Sequence, residues 1–177
     1  MQDFVLDTVT DPDAAAQALD VIAPLYGQVF AEPPYFEGPR DLAGFLKGYE
    51  AFRSMPGFRL VLACSGETLA GFAFGLLLQS DSRWWTGLDL DDSFTREDGH
   101  RTFVIREIAV GPEWRRQGLG RALHAEVVGG TSAERTTLAV RPEAEAATKM
   151  YAALGYRDLG TKEPAGEGDP VYRYMIR

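Results

Sequence analysis

The chain has 177 residues and 19.5 kDa, the size of one ordinary domain with little left for a second. Its 45% apolar and 11% aromatic content can fill a core, and 25% charged is average, which together exclude a largely disordered chain, a collagen-like repeat and a disulfide scaffold. Eighteen basic against twenty-six acidic residues leave a net charge of −8, which argues against a nucleic-acid binder and mildly favours a cationic or amine-bearing partner.

Met1-Gln2-Asp3 lacks the basic start and apolar stretch of a signal peptide, and no apolar run approaches the ~20 residues of a spanning helix, so a cytoplasmic protein is expected. Phe4 to Val9 reads as a first strand. Asp11-Pro12-Asp13 opens a helix toward Phe30, which Pro24 is expected to kink or split. Prolines 33, 34 and 39 keep 31–40 irregular, and Leu42, Phe45, Leu46 and Tyr49 predict a second helix over 41–52. The runs 58–64 and 68–78, parted by Ser65-Gly66-Glu67, predict a β-hairpin.

The stretch 79–100 is polar and irregular, with Trp84-Trp85 in its middle; a connection of about twenty residues in a compact domain is usually functional or disordered. A central strand over 102–110, a helix over 118–128, a strand over 135–140 and a helix over 143–154 follow. Strands at 156–161 and 171–176 close the chain around the Gly/Pro-rich segment 163–170. The strand near Val171–Ile176 reads as a sheet edge that could pair two subunits, which leaves the oligomeric state open between a monomer and a homodimer. Cys64, the only cysteine, excludes an intrachain disulfide and a cysteine-built zinc cluster, and no metal site is expected. The order predicts an α/β sheet of mixed direction in one domain over 1–177, with no internal repeat.

The most informative stretch joins Val110-Gly-Pro112 to Arg115-Arg116-Gln117-Gly118-Leu119-Gly120-Arg121. A buried strand enters a basic, glycine-bearing turn that becomes a helix. First-turn amides have no internal acceptor, and the helix dipole places partial positive charge there. Gly118 and Gly120 let an anion approach, and Arg115, Arg116 and Arg121 add full charges suited to phosphate oxygens. A diphosphate fits this chemistry without a metal. A Walker loop would need Gly-Lys-Ser or Gly-Lys-Thr, and a dinucleotide fingerprint a third glycine where Leu123 stands.

In these residues the chain resembles the GNAT superfamily of N-acetyltransferases. The Q/R-x-x-G-x-G/A motif is matched by Arg115, Gly118 and Gly120, and the Y-x-x-x-G-F/Y pattern by Tyr151, Gly155 and Tyr156. The resemblance is strongest over 102–156. It implies a mixed, mostly antiparallel sheet of about six to seven strands with about four helices, and acetyl-CoA as cofactor. Carried onto this chain, it implies that Arg116, Gln117, Gly118, Leu119, Gly120 and Arg121 hold the pyrophosphate, with Arg115 at the head of the turn. Ile108, Ala109 and Val110 would meet the pantetheine arm, and Tyr151 would stand by the sulfur and protonate the thiolate. The family's Asn near the start of the second helix is replaced by Ala144, so its contact is absent or supplied by Glu143.

Transfer to an amine also needs a base. Glu107 shares the strand face of Phe103, Ile105 and Ala109, where burial raises a carboxyl pKa as a general base requires. The alternative is a structural carboxylate paired with Arg106, Arg59 or Arg141. Tyr35, Phe36, Trp84 and Trp85 lie on the segments expected to cover a small-molecule or peptide amine, where aromatic walls suit an organic cation. Two other readings stay open: a non-catalytic acyl-CoA sensor of the same fold, and an acyltransferase using another acyl-CoA.

Overall fold

A computed structural model describes residues 3–164 and 166–177. Met1 and Gln2, at the acidic start, and Ala165, in the Gly/Pro-rich segment, lie outside the described residues. Seven strands, β1 (Val5–Val9), β2 (Arg59–Ser65), β3 (Thr68–Leu77), β4 (Thr102–Val110), β5 (Arg135–Val140), β6 (Arg157–Thr161) and β7 (Arg173–Ile176), form one sheet in the order β1-β2-β3-β4-β5-β7-β6. The pairings β1–β2, β2–β3, β5–β7 and β6–β7 are antiparallel, so this is a mixed α/β fold with an open, mostly antiparallel sheet. Its helices are α1 (Pro12–Ala31), α2 (Pro39–Phe52), α3 (Asp92–Thr95), α4 (Leu119–Gly129) and α5 (Glu145–Ala153). No helix among the described residues is long and apolar enough to cross a membrane.

Two expectations are corrected. β7 is hydrogen-bonded to β5 on one side and β6 on the other, so it is not the sheet edge; the edges are β1 and β6. Helix α1 runs unbroken through Pro24. Pro24 and Asp20, whose carbonyl loses its partner, both face solvent, so water can satisfy the carbonyl. The opposite face buries Ala15, Ala18, Ile22, Leu25, Tyr26, Val29 and Phe30. Asp11 caps the helix start, accepting the amides of Asp13 and Ala14 at 3.1 and 2.9 Å.

The chain folds as two compact units. One holds the chain up to Leu76 with Ile105–Thr131, the other Leu77–Val104 with Ser132–Arg177. In the first, aromatic packing joins α1 to α2: Tyr26 stacks on Phe45 at 4.0 Å, and the Tyr49 hydroxyl donates to the Ala15 carbonyl at 2.8 Å. Helix α4 turns Leu119, Leu123 and Val127 inward, at the four-residue spacing of one helix face. It lies close to the sheet because position 71 has no side chain. A Cβ there would stand 2.7 Å from the Ala109 carbonyl oxygen and 3.0 Å from Leu123 Cδ1. Gly71→Ala is therefore expected to cost about 1–3 kcal/mol in denaturant unfolding; a loss under about 0.5 kcal/mol would mean that this approach is slack. At the far end of α4, Arg59 donates to the Glu126 carbonyl at 3.4 Å, a cation at the negative end of the helix dipole.

In the second unit the long connection between β3 and β4 is ordered by a buried polar hub. Glu97 Oε1 accepts from Trp85 Nε1 at 2.7 Å, Thr102 Oγ1 at 2.8 Å and an Arg135 amino group at 2.8 Å. Arg101 binds the carbonyls of Ser93 and Arg96 at 3.0 and 2.9 Å. These side chains replace the backbone ladder that the segment lacks.

Candidate coenzyme cradle and reaction site

In the first unit β4 ends at Val110, and Gly111 bonds back to the Ala70 carbonyl at 2.8 Å. One 3₁₀ turn (Pro112–Trp114) then leads to the basic bend. Two residues of the bend are left-handed, Arg116 (φ 59°) and Gly118 (φ 84°). For arginine this conformation costs roughly 1–2 kcal/mol, and such strain gathers at functional sites. Gly118 is the N-cap of α4, and a Cβ on it would meet nothing within 4 Å. The amides of Arg121 and Ala122 turn back onto the Gly118 carbonyl at 3.0 and 3.1 Å. Those of Leu119 and Gly120, at the first two helical positions, have no intrahelical acceptor. The result is an exposed, positively polarised helix start whose first two amides are open to an acceptor, chemistry that suits an anion such as a diphosphate.

The three arginines divide. Arg116 and Arg121 are exposed and make no side-chain hydrogen bond or ion pair with a described residue. Arg115 pairs with Glu32 Oε2 at 2.7 Å and donates through Nε to the Val110 carbonyl at 3.3 Å.

Glu107 lies on β4 with Phe103, Ile105 and Ala109, all buried, on its own face. Glu107 itself is half-buried and makes no hydrogen bond or ion pair with a described residue. Within its unit Glu107 forms no salt bridge with Arg106 or Arg59: Arg106 lies over the Phe52 ring at 4.5 Å, and Arg59 reaches α4. Burial, then the Glu37 carboxylate, push the Glu107 carboxyl up to about 8, with Arg106 opposing. Glu37 is held by the Tyr26 hydroxyl at 2.5 Å. In the sequence Glu37 is only an acid beside Tyr35 and Phe36, and it stands 70 positions before Glu107 (107 − 37), so no local signal links the two.

Of the four aromatics expected around an acceptor, Phe36 is 72% exposed with φ 52°, and Tyr35 packs edge-on against Phe30 at 4.8 Å. In the second unit Trp84 is half-buried, with its indole N–H on Thr137 Oγ1 at 3.2 Å and Tyr174 against its ring at 5.0 Å. Trp85 is 4% exposed and belongs to that unit's core. Tyr151 is buried on α5, with Tyr156 edge-on at 5.7 Å. Ala144 is the N-cap of α5 with no side-chain cap, so Glu143 does not replace the missing Asn there.

A model of the acetyltransferase (GNAT) family matches residues 22–156, and the chain belongs to that family. It is an acyltransferase by family, and acetyl-CoA is the family's cofactor. No curated protein matches the chain. Solved structures share its fold. A GNAT-family protein from Desulfovibrio desulfuricans is 16% identical, covering 99% of this chain and 98% of that one, with a TM-score of 0.65. YncA of Salmonella typhimurium, solved with acetyl-CoA, is 15% identical over 99% of this chain and 93% of its own, with a TM-score of 0.65. The ribosomal-protein-S18-alanine N-acetyltransferase of Escherichia coli is 17% identical over 98% and 92%, with a TM-score of 0.60.

Proposed function

We propose that the protein is an acetyl-CoA-dependent N-acetyltransferase, moving the acetyl group to a primary amine of a small molecule or peptide by direct attack on the thioester. The observation that carries this reading is the left-handed bend at Gly118, which leaves the first two amides of α4 without an intrahelical acceptor beside Arg116 and Arg121, neither of which is paired among the described residues. Residues 116–121 would hold the pyrophosphate, and the 108–110 backbone the pantetheine arm. Residues 1–177 would work as one transferase domain, which the family match across parts of both units supports. A cytoplasmic setting suits both the single cysteine and this cofactor.

Acetyl-CoA supplies the thioester. An aliphatic ammonium has a pKa near 10 and must lose a proton before its nitrogen can attack. To a carboxylate of ordinary pKa that transfer is uphill by about 6 units; to Glu107 at about 8 it is uphill by about 2, which lowers the cost from roughly 8 to roughly 3 kcal/mol. Glu107 is the base in this reading. The C–N bond would form and the C–S bond break, Tyr151 would give its hydroxyl proton to the departing thiolate, and the second proton shed by the nitrogen would return Tyr151 to its hydroxyl form. Phe36 and Tyr35 would offer ring faces to the amine's organic part.

Thiol release from acetyl-CoA with a panel of small amines and peptide N-termini tests the activity. Tyr151→Phe is expected to lower kcat about a hundredfold while leaving coenzyme affinity within a few-fold. A Phe variant as fast as wild type would remove the acid role.

A further inference from the structure

Arg115 heads the motif that holds the coenzyme, yet its guanidinium is engaged elsewhere. One amino nitrogen binds Glu32 Oε2 at 2.7 Å, and Nε donates to the Val110 carbonyl at 3.3 Å. Glu32 in turn organises the segment that follows α1. It is that helix's C-cap, and its carbonyl accepts the amides of Tyr35 at 3.0 Å and Phe36 at 3.2 Å. The Glu37 amide returns to the Phe30 carbonyl at 2.8 Å, and its carboxylate bonds Tyr26 at 2.5 Å. The 32–37 backbone is thus folded around the residue that Arg115 grips. The neighbours Arg116 and Arg121 are exposed and make no such bond.

The geometry points to Arg115 as a positioning residue: it ties Glu32, and through it the segment bearing Phe36 and Glu37, to the end of β4, and leaves the phosphates to Arg116 and Arg121. The proposal rests on the transferase reading for its consequence, since that segment carries the aromatic face and the second carboxylate of the acceptor side. The division of labour follows from bonding. An arginine held on a carboxylate and a carbonyl must give up both to turn toward a phosphate, whereas Arg116 and Arg121 give up neither.

Replacing both partners, Arg115→Gln with Glu32→Gln, removes the tie and keeps the net charge. In the full chain, calorimetry with CoA as probe is expected to give an affinity within about twofold of wild type. Arg116→Gln and Arg121→Gln are each expected to weaken it about tenfold, the value of a charge-assisted bond. Hydrogen exchange at the amides of Tyr35, Phe36 and Glu37 is expected to rise about threefold in the double variant, as loss of a half-exposed ion pair allows. The charge swap, Arg115→Glu with Glu32→Arg, is expected to restore protection. Glu32→Gln alone is a second variant and is expected to raise the same exchange. A tenfold loss of CoA affinity in the double variant would make Arg115 a phosphate ligand and overturn the proposal. Unchanged exchange at 35–37 would overturn it equally. Failure of the wild type to bind CoA would instead remove the transferase reading, and the exchange measurement would still decide whether the tie exists.

Discussion

Replacing Glu107 with Gln is expected to lower kcat/KM by a factor of about 10²–10⁴, the range for losing a positioned general base. The wild-type profile is expected to rise with pH and level off above about 8, because only the deprotonated carboxylate accepts the amine's proton. The Gln variant should lack that limb. Stability provides a second readout with its own sign. The folded carboxyl holds its proton to about 8, whereas in the unfolded chain it lets go near 4.5. Its contribution is therefore fully present below about pH 4.5 and is lost as pH rises through 8. Glu107→Gln should raise Tm at pH 9 and leave it nearly unchanged at pH 4. A variant that keeps full activity and the same Tm difference at both pH values would contradict the assignment.

The second large effect is structural. Glu97→Ala is expected to destabilise by about 3–5 kcal/mol, because it leaves Arg135 as a buried, uncompensated charge. Arg135 has an 11% exposed side chain and Glu97 a 1% exposed one, at 2.8 Å. The remaining Arg135 bonds, to Thr102 Oγ1 and the Phe94 carbonyl at 2.7 Å each, hold it in place without neutralising it. At roughly 2–4 °C per kcal/mol for a chain of this size, thermal unfolding should move down by at least about 6 °C. A shift under about 2 °C would show that the hub is not what orders the connection between β3 and β4.

The sequence carries the cradle well because its chemistry is local. Arg116, Gly118 and the first turn of α4 fall within one run of six residues, so the proposed donors are neighbours in sequence. Strand β4 was also legible, with Glu107 on its buried face, since period-two alternation is a local signal. What could not be read depends on contacts distant in sequence. Glu32 meets Arg115 across 83 positions, so an arginine that looked like a phosphate donor is paired with a carboxylate. Trp85 looked like a wall of the acceptor site, and its partner Glu97 gives it a place in the core. Pro24 carries a strong local breaking signal, but α1 is held by seven buried side chains, and the lost bond falls on its wet face. The β7 strand, four residues long and late in the chain, carries no mark of which neighbours flank it, and its inner position comes from pairing alone.

Titration of acetyl-CoA into the wild type and into Gly118→Ala, with circular dichroism to verify folding, bears most directly on the whole account. The wild type is expected to bind with a Kd of about 100 μM or tighter, and Gly118→Ala, whose Cβ strains the left-handed N-cap at φ 84° and so disturbs the first-turn amides, to weaken binding about tenfold or more, some 1.4 kcal/mol. Equal affinity in the two proteins, or no binding by the folded wild type, would mean that the amides at 116–121 do not hold the coenzyme.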